Sequence, residues 1–136
     1  VQMELAQSAD ALSIHDYEEI MSNVIKGHDY LSQTDTEIAQ IAARIAQDIH
    51  ERWDGLGFPS RKKAKAIDIN ARILSITSQY DALRTQRSYR DAQDTGAAID
   101  YLTLHSGEFF DPELVGIMID HIDAMEKIRQ RYSDII

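Results

Sequence analysis

The five histidines, His15, His28, His50, His105 and His121, are the side chains best suited to metal or proton chemistry. A helical metal site normally pairs a histidine with another ligand three or four residues away. No two of these histidines have that spacing. His15-Asp16 has the letters of a metal-binding dyad, but the pair falls at a helix start, where Asp16 serves as a first-turn acid without a metal. The absence of cysteine excludes disulfides, thiolate zinc sites and cysteine nucleophiles. The most particular string is His50-Glu51-Arg52-Trp53-Asp54-Gly55-Leu56-Gly57-Phe58-Pro59. It reads as a helix C-terminus followed by a Gly/Pro turn that Trp53 anchors. Ser60 to Lys65 follows, with four of the chain's 14 positive charges in six residues. Arg61, Lys62, Lys63 and Lys65 could hold phosphates as charge-assisted donors, or form a merely solvated loop.

Helices must position these groups. Ser13 reads as an N-cap with Asp16 three residues on, and Leu12 and Tyr17 as a hydrophobic staple. The stripe Tyr17, Ile20, Met21, Val24, Ile25 predicts a half-buried helix that Gly27 ends. Thr34, with Glu37 at the capping-box position, opens a second helix whose apolar face is Ile38, Ile41, Ala42, Ile45, Ala46 and Ile49. Ile69, Ile73, Ile76, Tyr80 and Leu83 mark a third, running out near Arg84. A polar stretch to Asp94 leads to a short helix ending at Gly107. Asp111-Pro112 starts a last helix, with Leu114, Val115, Met118, Ile122 and Met125 on its apolar face. The expected fold is one all-α bundle of about five helices. With 136 residues and 43% hydrophobic composition, the chain can close a modest core.

Twenty-three acidic against 14 basic residues give a net charge of -9. That repels nucleic-acid polymers and anionic membranes. No apolar run approaches the ~20 residues that span a bilayer, so a cytoplasmic protein without membrane insertion is expected. The chain begins with Val1 in mid-pattern, which suggests a piece of something longer.

The string from Ile49 to Pro59 resembles the HD-GYP family of cyclic di-GMP phosphodiesterases, whose signature runs His-His-Glu-x-x-Asp-Gly-x-Gly-Tyr-Pro. Lys63 falls on the basic residue of the family's Gly-Leu-Lys-Gly loop. Ala71-Arg72-Ile73, Tyr80-Asp81-Ala82-Leu83, Arg87-Ser88-Tyr89-Arg90, Ser106-Gly107 and Phe110-Asp111-Pro112-Glu113-Leu114-Val115 match further family segments. The resemblance runs from about Leu12 to about Ile119 and implies an HD-domain-like bundle. It also implies a centre of iron or manganese held by histidines and aspartates. The family's first histidine and His-Asp dyad would lie upstream of Val1, so residues 1–136 are expected to be an HD-GYP-like domain without those helices. Asn23 stands at a further ligand histidine, Ile49 at the first of the paired histidines, and Ser78 at a ligand aspartate. Of the ligand positions that align, only His50 keeps its residue.

An isoleucine has no lone pair to donate, and serine and asparagine are weak neutral ligands. The expectation is therefore a degenerate, non-catalytic domain with no metal cofactor. An active phosphodiesterase, with its remaining ligands upstream of Val1 and iron or manganese bound, is the alternative. Two roles are open to a degenerate domain. Arg61, Lys62, Lys63 and Lys65 could bind cyclic di-GMP, although Ser60 replaces the arginine that the family commonly places after the proline. The Gly57-Phe58-Pro59 loop could contact a diguanylate cyclase (GGDEF) domain, as the resemblance implies for the Gly-Tyr-Pro loop. Family members usually act as response-regulator outputs, and the apolar helix faces suggest a homodimer.

Overall fold

In a computed structural model, residues 14–86 and 91–132 are described, apart from the side chains of Ile14 and Tyr17. The Ser13 cap, the Leu12–Tyr17 staple and the Arg87-Ser88-Tyr89-Arg90 match lie outside these residues. The described residues form six α-helices and no strand. They are α1 (Ile14–Ser32), α2 (Glu37–Asp48), α3 (Ile69–Arg84), α4 (Thr95–Leu104), α5 (Pro112–Asp120) and α6 (Ile122–Tyr132). The all-α reading is correct. The chain divides into two compact units, Val1–Ala71 and Arg72–Ile136, with the boundary inside the first turn of α3.

In the first unit α1 packs on α2, and Ile20, Val24 and Ala43 are buried. Gly27 does not end α1, which continues to Ser32. No proline or positive φ breaks the chain there, and packing on α2 outweighs the ~1 kcal/mol that an interior glycine costs. The second helix also starts later than its capping box suggested. Thr36, not Thr34, is the N-cap, its hydroxyl accepting from the Ala39 amide at 3.4 Å. The Thr34 carbonyl instead accepts from Gln40 Nε2 at 2.9 Å. Ile38 consequently lies in the first turn and is 77% exposed, off the face assigned to it. After α2 the chain forms a long loop, closed by a 3-10 turn at Ala64–Ala66 before α3 begins.

The second unit has the larger core: Ile76, Tyr80 and Leu83 of α3, Ala98 and Leu102 of α4, Phe110, and Val115 and Met118 of α5. Ile69 and Ile73, placed on the α3 stripe, are exposed instead. Asp94 caps α4 through the Ala97 amide at 2.8 Å, and the helix stops at Leu104, before Gly107. Asp111 caps α5 through the Glu113 amide at 2.9 Å, with Pro112 in the first turn, as the sequence suggested. The expected single last helix is two, because it breaks at His121. There φ is -114°, and the ring lies 2.9 Å from the Ile117 carbonyl through Nδ1.

Candidate functional site

The helix C-terminus and loop from Asp48 to Asp68 hold most of the residues that the sequence singled out, all within the first unit. Asp48, the last residue of α2, is 2% exposed. A carboxylate there faces the negative end of the helix dipole and needs a partner. It has two: Lys62 Nζ lies 2.6 Å from Oδ1, and the Asp68 amide donates to Oδ2 at 2.9 Å. Glu51, 5% exposed, accepts from the Ser60 amide at 2.7 Å and the Lys62 amide at 3.0 Å. Burial nevertheless holds its carboxyl above the usual glutamate range; the two backbone amides pull it back only in part.

The turn between these acids is tightly folded. Asp54 pairs with Arg52 and accepts from the Leu56 amide at 2.9 Å, while Gly55 adopts φ +83°. The Phe58 amide donates to the His50 carbonyl at 3.2 Å, and the two rings stack with centroids 5.0 Å apart and planes 14° from parallel. Phe58 is thus 9% exposed, followed by a cis bond to Pro59, whereas Leu56 stands 70% exposed. Burial lowers the His50 pKa, so the ring is neutral near pH 7. Gly57 packs directly on the backbone of His50, Glu51 and Arg52.

The basic segment divides by direction. Lys62 turns in to Asp48, while Arg61, Lys63 and Lys65 are exposed. Arg61 and Ala64 have φ of 54° and 51°. The resemblance to Gly-Leu-Lys-Gly puts these two residues at its glycine positions, and here both adopt a left-handed backbone that their side chains disfavour.

The metal-position residues have other surroundings. Asn23 is exposed on α1, and Ile49 is half-buried at the end of α2. In the second unit Ser78 Oγ donates back to the Leu74 carbonyl at 2.6 Å, within its own helix. His50 lies against Phe58. Among the described residues, no three of His, Cys, Asp and Glu gather as a metal-holding group. At these positions Ile49 offers no lone pair, and Asn23 and Ser78 offer only neutral oxygen donors to an iron or manganese ion.

Sequence reasoning missed Asp48 and Glu51 as the residues that hold the loop. A carboxylate at a helix C-terminus, against the dipole, was the available signal. It also missed Arg72, whose Nη1 lies 2.6 Å from Asp111 Oδ2, tying α3 to the cap of α5.

The HD domain family matches residues 1–114. A 3′3′-cGAMP-specific phosphodiesterase of Vibrio cholerae is 33% identical over 115 residues, covering 85% of this chain and 22% of that protein. A cyclic di-GMP phosphodiesterase response regulator of Xanthomonas campestris is 35% identical over 107 residues, 79% of this chain and 28% of its own length. A cyclic di-GMP phosphodiesterase of Thermotoga maritima is 28% identical over 124 residues, covering 91% of this chain and 32% of that protein. The chain therefore spans a third or less of each of these relatives. The crystal structure of a cyclic GMP-AMP-specific phosphodiesterase of V. cholerae superposes with a TM-score of 0.68 at 20% identity, over 97% of this chain and 36% of that one, a likeness of fold. The sequence motifs, the helical architecture and the family match agree: the chain belongs to the HD domain family and is of the HD-GYP type.

Proposed function

We propose that this domain is a non-catalytic HD-GYP-type module of cyclic dinucleotide signalling, which senses its ligand through the basic loop as part of a cytoplasmic response-regulator output. The observation that carries the reading is the donor set. Ile49 offers no lone pair, the Ser78 hydroxyl is engaged with its own helix, and Asn23 presents a neutral amide to solvent. Without a cluster of metals, phosphodiester cleavage has neither an activated hydroxide near neutral pH nor a clamp for the developing charge. What the loop retains is phosphate-binding chemistry in the exposed Arg61 and Lys63. The names of its relatives make cyclic di-GMP the first ligand to test and 3′3′-cGAMP the second. The chain, incubated with manganese or ferrous iron, is expected to turn over neither dinucleotide. Calorimetry is expected to show low-micromolar binding that Lys63→Ala removes. Turnover with two or more metal ions bound per chain would overturn the proposal.

The exposure of Leu56 favours a second reading, in which the same loop contacts a GGDEF-domain partner. Leu56 stands out from the turn while Phe58 is buried and stacked on His50. The contact would then run through Leu56, with Phe58 acting as its support. A pull-down is expected to lose the partner with Leu56→Asp in a protein whose thermal midpoint is unchanged. Retention of the partner by that variant counts against the reading.

A further inference from the structure

We infer that Lys62 is an internal counter-cation. Together with three backbone amides, it satisfies the two buried carboxylates beside His50, locking the basic loop with Arg61 and Lys63 outward without a divalent metal. The last step, that these outward cations meet an anionic ligand, rests on the sensing reading above.

The geometry converges on a single residue. The Lys62 ammonium lies 2.6 Å from Asp48, and the Lys62 amide donates to Glu51 at 3.0 Å, so one residue clamps both acids. The remaining oxygens receive the Asp68 amide at 2.9 Å and the Ser60 amide at 2.7 Å. Each of the four carboxylate oxygens thus has a donor from the chain itself. Asp48 and Glu51 are 2% and 5% exposed, and a carboxylate so buried is costly unless paired and hydrogen-bonded. Arg61, between the two amides that face Glu51, has φ 54°. Alternation of this kind points successive N–H groups at one anion. The same local fold sends the side chains of residues 61 and 63 outward while that of residue 62 turns in. The inward cation and the outward ones are therefore parts of one arrangement: if Lys62 lets go, the presentation of its neighbours should go with it.

The test is a double-mutant cycle on the full chain, with Lys62→Met, Asp48→Asn and both together. Thermal unfolding is followed with and without chelator, alongside hydrogen exchange at the Ser60 and Lys62 amides. The wild-type midpoint is expected to be the same in chelator and in added manganese. Lys62→Met leaves the buried Asp48 carboxylate with the Asp68 amide but without its counter-cation. It should lower the midpoint and speed exchange at those two amides by roughly tenfold or more. Lys62→Arg should keep most of the protection. Adding Asp48→Asn to Lys62→Met removes the orphaned charge and should recover much of the loss. Should Lys62→Met alone fail to fold, a folded double variant supports the coupling and an unfolded one refutes it. A wild-type midpoint that drops in chelator, or strictly additive effects of the two substitutions, overturns the inference. Calorimetry separates it from the sensing reading. A protein that passes the cycle but gives no heat with cyclic di-GMP retains the lock and loses the ligand. One that binds should do so equally in chelator.

Discussion

At Gly57 a single methyl group decides whether the loop can form. A Cβ there would lie 2.3 Å from the Arg52 amide nitrogen and 2.6 Å from both Glu51 Cα and the His50 carbonyl oxygen. All three are backbone atoms, which cannot swing aside as a flexible side chain would. Gly57→Ala is therefore expected to cost about 3 kcal/mol or more, at the upper end of what overpacking does. The loss should show in a lowered denaturation midpoint and in lost protection of the Phe58 amide. Ala64 is the opposite case. Its φ of 51° places it in the left-handed region, which costs an L-residue about 1–2 kcal/mol, against about 0.5–1 kcal/mol of extra chain entropy for glycine. Ala64→Gly should accordingly stabilise the protein by up to about 1 kcal/mol, read as a raised urea midpoint at unchanged slope. Gly57→Ala thus tests the close backbone approach in the Gly57-Phe58-Pro59 turn, and Ala64→Gly tests the left-handed backbone at the end of the stretch that aligns with Gly-Leu-Lys-Gly.

At the level of helices, Gly27 shows where local signals lose to packing. It sits inside α1, and a Cβ built there meets only the Ala46 Cβ, at 3.8 Å, an ordinary contact. Gly27→Ala should therefore gain close to the intrinsic propensity difference, about 0.8–1 kcal/mol, without a clash. A lower thermal midpoint for this variant would show that α1 needs the closer approach. The glycine reads as a stop in the sequence because nothing local announces the α1–α2 contact that carries the helix past it. Thr34 and Thr36 illustrate the same limit. Both are competent caps, and only the path of the chain selects Thr36. Asp111-Pro112, by contrast, was legible, since its aspartate and proline each specify the helix start by their own geometry. The break at His121 carried no glycine or proline and could not be read. In the loop, the sequence showed the basic cluster but not its division into one inward and three outward side chains. That division depends on Asp48 and Glu51, which reach Lys62 across 14 and 11 positions.

Over the molecule as a whole, the charge of -9 suggests that acid would relieve repulsion and stabilise the fold. Glu126 argues for the contrary in the second unit. Its carboxylate accepts from Arg84 Nε at 3.0 Å and Nη2 at 2.9 Å, from Arg129 Nη2 at 3.2 Å, and from the Tyr80 hydroxyl. Arg84 also reaches the Gln93 carbonyl, so a single carboxylate ties α6 to α3 and to the stretch leading into α4. The hydrogen bonds from Arg84 outweigh desolvation and, with those from Tyr80 and Arg129, hold Glu126 far below the usual glutamate range. A carboxylate depressed in the folded state contributes its full stability above the unfolded value of about 4.3, and loses it as the pH falls below that value. Burial raises Glu51 instead, an effect of opposite sign: the cost of its buried charge is relieved as the pH falls. The two can be separated by substitution. Glu126→Gln should lower the midpoint at pH 7 and flatten its decline between about pH 5 and pH 3, because the variant has no charge left to lose there. Glu51→Gln should leave that decline in place. If Glu126→Gln falls as steeply in acid as the wild type, the clamp is not what acid disrupts, and relief of the net negative charge must be weighed against other carboxylates in the second unit.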